Sequence, residues 1–262
     1  MNFIDTHTHL YAEEFDPDRD KVIQRAINEG IDRLLLPAID RSYFDQMMQV
    51  AGNHKDHCFP MIGLHPTSVK AGFREELDFV RNMLEESPEN FYGIGEIGID
   101  LYWDKTFASE QTSAFSHQLD LAIEYQLPVA IHTRNSFEIA IDLIRQKNNP
   151  GLKGVFHCFG GSVEQAKQAA GVGFLLGIGG IITYKNSGLQ KVVEVTGLDH
   201  LVLETDAPYL PPVSYRGQRN ESTYIPVIAE KIAEIKNVSV AEVAEITTKN
   251  AENLFNLKNI KR

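Results

Sequence analysis

Cysteine, tryptophan and positive charge are all scarce in this 262-residue sequence. Two cysteines far apart in the chain, Cys58 and Cys158, cannot make a disulfide framework and read as reduced, buried thiols of a cytoplasmic protein. Twenty-five Lys and Arg against 36 Asp and Glu leave a formal net charge of −11. That balance excludes a protein that coats nucleic acid through a broad basic surface, though not one that captures a strand end at a bound cation. Long apolar runs are missing too. The stretch from Val172 to Ile182 is interrupted by glycine and too short to cross a bilayer. Met1 leads straight into a predicted strand with no basic segment followed by an apolar one, so no secretory leader is expected. Glycines cluster at Gly171, Gly173, Gly177, Gly179 and Gly180 without the dinucleotide-binding spacing, which favours tight packing or close approach of a substrate.

What is present is a rhythm. Eight short apolar runs (3–6, 33–38, 58–64, 91–97, 128–132, 154–157, 173–177 and 201–204) alternate with longer segments. Several of these carry helical periodicity, namely 18–29, 109–125, 136–146 and 239–254. Gly30 ends the first helix, and Ser239 with Glu242 opens the last as a capping box. The pattern predicts an α/β protein, a (β/α)8 TIM barrel formed as one domain over residues 1–262, with a doubly wound open sheet as the other arrangement such a rhythm allows.

In a barrel of this kind the working site lies at the C-terminal ends of the strands. Of nine histidines, five fall there: His7, His9, His65, His132 and His157. Glu96 ends the fourth run and Asp206 follows the eighth. A strand alternates its side chains, so the opening Asp5, His7 and His9 are expected on one face, where two imidazoles can grip a cation. Packing alone does not explain three separate apolar runs that end in histidine, because a buried imidazole needs partners. The donors divide into His7, His9 and Asp206 from strands one and eight, and His132 and His157 from strands five and six. Glu96 is placed to bridge them. Asp5 and Glu204 are expected to orient these donors rather than join them. Imidazole with carboxylate suits zinc, manganese or iron, and a site richer in oxygen tolerates magnesium.

The segments His7-Thr8-His9, Gly63-Leu64-His65-Pro66, Gly95-Glu96-Ile97-Gly98-Ile99-Asp100, His132, His157-Cys158-Phe159 and Glu204-Thr205-Asp206-Ala207-Pro208 together resemble the TatD family of metal-dependent deoxyribonucleases. That family belongs to the amidohydrolase-like barrels. The likeness runs through the whole chain in the family's order and includes 216–221, after which Ser222 replaces the family's usual proline. It implies two divalent ions (zinc, manganese or magnesium) held by His7, His9, Glu96, His132, His157 and Asp206, with Asp206 and Glu96 catalytic. It also implies DNA as the substrate, taken as single-stranded ends from the 3′ side, and assigns His65 to the substrate phosphate. Arg134 is either a second phosphate contact or a surface ion pair.

Three further expectations stand beside these. Tyr102, Trp103 and Phe107, on the loop after strand four, either stack an unpaired base or seal the loop against the barrel. The competing activity is hydrolysis of a small amide, lactone or phosphoester with the same donors. Neither a membrane nor a protein partner is indicated.

Overall fold

A computed structural model describes residues 1–257; the end of the expected domain, 258–262, lies outside them. Among the described residues eight parallel strands form: β1 (Phe3–Asp5), β2 (Ile31–Leu36), β3 (Cys58–Pro60), β4 (Ile94–Asp100), β5 (Val129–Arg134), β6 (Gly154–Phe156), β7 (Leu175–Ile178) and β8 (Leu201–Leu203). Ladders join β1 to β3 and β4 to β8 in sequence order. Two seams close these halves into one cylinder. At the first, Ile62 bridges to Ile94 and accepts a hydrogen bond from Gly95 N–H at 2.9 Å. At the second, Thr6 N–H donates to Leu203 O at 3.0 Å and Thr8 bridges to Ala207. The sheet is therefore a closed (β/α)8 barrel, and the open-sheet alternative falls.

Around it lie the helices α1 (Arg19–Asn28), α2 (Arg41–Asn53), α3 (Phe73–Glu86), α4 (Ala108–Tyr125), α5 (Phe137–Lys147), α6 (Val163–Gly171), α7 (Leu189–Val195), α8 (Ile225–Lys236) and α9 (Val240–Leu254). The four helices expected from periodicity are found within a residue or so of their bounds. Ser239 accepts from Glu242 N–H as its capping role requires. Two of the remaining helices begin at signals of the same kind: Asp40 accepts from Ser42 N–H before α2, and Ser162 with Gln165 makes a reciprocal capping box before α6.

Two apolar layers stabilise the cylinder. A large one lies between strands and helices and includes Phe3, Leu34, Ile97, Ile131 and Phe156. A smaller one joins Ile4, Leu35, Phe59, Ala130, Val155 and Val202, the opposite faces of those strands, to Ala251, Phe255 and Leu257. The end of α9 thus stops the N-terminal mouth. There Asn250 Nδ2 donates to Leu201 O and Thr248 Oγ1 to Asn2 O, both at strand beginnings. With one end plugged, access is from the C-terminal rim.

β4 runs past the glycine at which its apolar run stops. Gly98 has φ +143°, and a Cβ there would meet His132 O at 2.0 Å. Only glycine lets β4 press so close to β5 at the residue whose side chain faces the site. β1, by contrast, stops early. The chain bends at Thr6, so the strict alternation expected for Asp5, His7 and His9 is lost. Asp5 turns instead to the β1–β8 seam, where it accepts from Thr205 N–H at 2.9 Å and Thr205 Oγ1 at 2.6 Å.

Replacing Phe255 with alanine empties the plug, and a denaturant titration should show about 3–5 kcal/mol less stability, the usual cost of deleting a buried phenylalanine. A loss below about 1 kcal/mol would mean that α9 does not seal the barrel.

Candidate metal centre

Every histidine and acid expected at the strand ends reaches one place, and Glu96 is its centre. The carboxylate is 2% exposed. Its Oε2 lies 3.0 Å from His7 Nε2 and 3.6 Å from His9 Nε2. Its Oε1 lies 2.9 Å from His132 Nδ1, 3.1 Å from His157 Nε2 and 3.2 Å from His65 Nε2. Asp206 Oδ1 completes the first side, 3.5 Å from His9 Nε2 and 3.8 Å from His7 Nε2. Asp206 takes φ +58°, a left-handed conformation that aspartate tolerates better than most residues. Its N–H donates to His7 O, which fixes the two strand ends to each other.

A buried carboxylate is costly unless compensated. Burial raises the Glu96 pKa, but His157, His65 and His7 outweigh it and hold the group well below its usual range. Burial likewise opposes a charge on His157; Glu96 and Glu204 beside it prevail and hold the imidazole well above its usual value. His132 is also raised, burial being overcome by Asp100 and Glu96. His7 moves the other way, lowered by its burial and by His157, whose ring stacks on it at 3.7 Å.

The outward nitrogens decide how these rings present themselves. Tyr11 Oη donates to Pro37 O at 2.6 Å, so its oxygen accepts from His9 Nδ1 at 2.8 Å. That bond leaves His9 Nε2 unprotonated in the neutral ring and aimed inward. His132 Nε2 donates to Asp100 Oδ2 at 2.9 Å, so in its neutral form Nδ1 keeps a lone pair toward Glu96; His157 Nδ1 lies 3.3 Å from Glu204 Oε1. A lone pair set against a carboxylate oxygen needs positive charge between them, either a proton or a metal ion. This donor set fits divalent cations: the triads His7–His9–Glu96 and His7–His157–Asp206 each gather their ligand atoms within 4.8 Å. Carboxylates holding the far nitrogens of metal-binding histidines are a recurrent device for fixing tautomers.

His65 has the opposite polarity. Its Nδ1 accepts from Thr67 N–H at 3.2 Å, and a backbone amide can only donate. A neutral His65 therefore carries its proton on Nε2 and points a donor, not a lone pair, into the site. Burial lowers its pKa, which favours that neutral form.

The remaining expectations are met unevenly. Glu204 is fully buried and accepts from Cys158 N–H, as an orienting group should. Gly177 leaves it room, since a Cβ there would come within 2.1 Å of Glu204 Oε2. Arg134 does not enter the cluster. It sits on the rim with its guanidinium carbon 3.8 Å from the Tyr102 ring centre. Phe107 does seal its loop, packing beside Leu64, Val69 and Phe73. Trp103 and Tyr102 are 70% and 53% exposed, so they do not. Cys58 and Cys158 are free thiols, and burial pushes Cys58 up to about 12. Neither Asp100 nor Tyr11 stands out from the sequence alone, although Asp100 lies within the family-like segment Gly95–Asp100.

The segment after β8 serves as a brace. Asn220 Nδ2 donates to Thr205 O and Tyr209 O on either side of Asp206. Arg219 grips Asp18 at 2.8 and 2.9 Å and Glu221 at 2.9 Å, tying the loop to the start of α1.

A cavity of about 1120 Å³ opens above the cluster, lined in part by His9, His65, Glu96, His132, His157 and Asp206. Fold and site together define a (β/α)8 barrel that gathers metal-ligating groups at the C-terminal ends of its strands. A family model described as TatD related DNase matches residues 4–256. The sequence is 37% identical over 239 residues to the uncharacterized metal-dependent hydrolase YabD of Bacillus subtilis, covering 91% of this chain and 92% of that protein. It is 34% identical over 245 residues to the 3′-5′ ssDNA/RNA exonuclease TatD of Erwinia tasmaniensis, covering 91% and 93%. The crystal structure of YjjV, a TatD homologue from Escherichia coli K12, superposes with a TM-score of 0.92 at 31% identity, covering 97% of this chain and 98% of that one. The chain belongs to the TatD family, and it is a hydrolase acting on ester bonds. Among the described residues no helix is long and apolar enough to cross a membrane.

The Asp100→Asn variant weakens the acceptor that fixes the His132 tautomer. Competition with a chromophoric chelator should show divalent-ion affinity lower by about 10–100-fold, the usual effect of losing such a support. Unchanged affinity would free His132 from any dependence on Asp100.

Proposed function

We propose that this protein is a two-metal 3′-5′ exonuclease of single-stranded DNA. The observation that carries the reading is the sharing of Glu96, one carboxylate oxygen to each histidine group, which suits a pair of divalent ions rather than one. In this reading His7, His9 and Asp206 hold one ion, His132 and His157 the other, and Glu96 both; zinc, manganese and magnesium all suit the donors. Such ions, when bound, make water a stronger acid and neutralise the charge that develops on a phosphodiester.

The protein's own groups do the rest. Partial burial of the Asp206 carboxylate raises its pKa, but His9, His157 and His7 outweigh this and keep it ionised, so it can accept the proton of the attacking water. As the water oxygen bonds to phosphorus, one P–O ester bond breaks and the departing oxygen takes up the proton that Asp206 received from the water. His65 Nε2–H donates to a non-bridging phosphate oxygen, the role its tautomer permits. The net charge of −11 leaves little general attraction for DNA, so recognition rests on the site itself. The relative from Erwinia named for single-stranded DNA and RNA supports the substrate class.

The Glu96→Gln and His132→Ala variants should lose divalent-dependent release of nucleotides from a 3′-labelled single strand by more than about a hundredfold, beyond what loss of a supporting group costs. Full activity of Glu96→Gln with unchanged metal content would defeat the reading. Turnover of amides or lactones with no oligonucleotide cleavage would move the assignment to small-molecule hydrolysis. Replacing His65 with alanine should lower kcat/KM by about a hundredfold, the scale of losing one preorganised donor to a developing charge. Steady-state kinetics on the same substrate give the test, and an unaltered kcat/KM would remove His65 from phosphate binding.

A further inference from the structure

The metal centre accounts for the floor of the cavity but not for its rim. Large aromatic rings normally bury most of their surface, and this chain has only one tryptophan. Trp103 is nonetheless 70% exposed, beside Tyr102 at 53%. The two rings meet edge to face with centroids 5.0 Å apart. The Arg134 guanidinium lies over both, 3.8 Å from the Tyr102 centre and 5.1 Å from that of Trp103.

This group is not loose. Tyr102 N–H and Trp103 N–H donate to Asp100 Oδ1 at 2.9 and 3.2 Å, while Oδ2 of the same carboxylate holds His132. Arg134 O accepts from Leu101 N–H at 2.9 Å, so β5 supports the platform from below. Trp103 also stands between two cavities. It lines the main one and a second of about 340 Å³ that includes Lys70 and Phe107. Lys70 Nζ lies 5.7 Å from the Phe107 ring centre. A chain leaving the metal centre across this ridge would meet an open aromatic face, then two cations.

We propose that Trp103, with Tyr102 and Arg134, is a stacking subsite for one unpaired nucleobase, that of the penultimate nucleotide, with Arg134 against its phosphate. The proposal rests on the nuclease reading above and adds how the enzyme distinguishes unpaired from paired ends. An exposed ring stacks any base but needs the base's face free, and a duplex end occupies that face with the neighbouring pair. Arg134 supplies charge-assisted hydrogen bonds to the phosphate while its own plane stays against Tyr102. Asp100, holding the platform with one oxygen and His132 with the other, sets the distance from stacked base to scissile bond.

Because Trp103 is the only tryptophan, its fluorescence reports the subsite without catalysis. Titration of the protein in EDTA with a single-stranded oligothymidylate should quench it. A blunt duplex, or a strand abasic at the penultimate position, should bind about tenfold more weakly, within the usual worth of one stacked base. In the presence of divalent ions, Trp103→Ala should raise KM for the intact strand by about tenfold with kcat less affected. Trp103→Phe should restore most of the loss, and the abasic strand should be insensitive to Trp103→Ala. Unchanged fluorescence, or equal KM in Trp103→Ala while cleavage continues, overturns the subsite and leaves the nuclease reading intact. Quenching without cleavage upholds the subsite and sinks the nuclease reading. Neither quenching nor cleavage removes both.

Discussion

A single buried carboxylate organises this molecule. Glu96 brings five imidazoles from four places in the chain to within 3.6 Å of its two oxygens. In a poorly polarisable interior such a charge survives only if positive charge surrounds it. The barrel makes that possible because residues remote in sequence converge on one rim when the sheet closes on itself. Both seams of the closure pass through the site: Gly95, preceding Glu96, pairs with Ile62, and Asp206 pairs with His7. Folding of the cylinder and assembly of the centre are the same event.

Around Glu96 the hydrogen bonds sort the histidines into two kinds. Where the outer nitrogen donates, to Tyr11 or Asp100, the inner one offers a lone pair. Where the outer nitrogen accepts, as in His65, the inner one offers a proton. The three rings held in this way, His9, His132 and His65, thus carry two chemistries, set by what stands behind each. Asp100 carries this logic outward, since the oxygen it does not spend on His132 organises the aromatic rim.

Much of this was legible in the sequence, for a definite reason. Six of the eight apolar runs end in or lead into a histidine or acid unsuited to a core, and in a parallel barrel all such ends face the same way. Closure itself was not legible, because the period of strands and helices is the same in an open sheet. Asp5 was misplaced because alternation holds only while the strand continues, and a bend at Thr6 ends it. The end of β4 was set too early because Gly98 looks like a break, whereas it is what lets two strands approach. Tyr11 left no trace, since its role depends on Pro37, 26 residues away. Tyr102 and Trp103 could be read as seal or as platform, and only their exposure separates the two.

The plug formed by Ala251, Phe255 and Leu257 also has a bearing on how the protein is made. During synthesis the first strand emerges long before β8, its neighbour across the second seam, and the stopper follows later still. Until then the apolar lining of the cylinder has no cover at its lower opening. The nascent polypeptide must wait, its cylinder unstoppered, until residues 251–257 have left the ribosome.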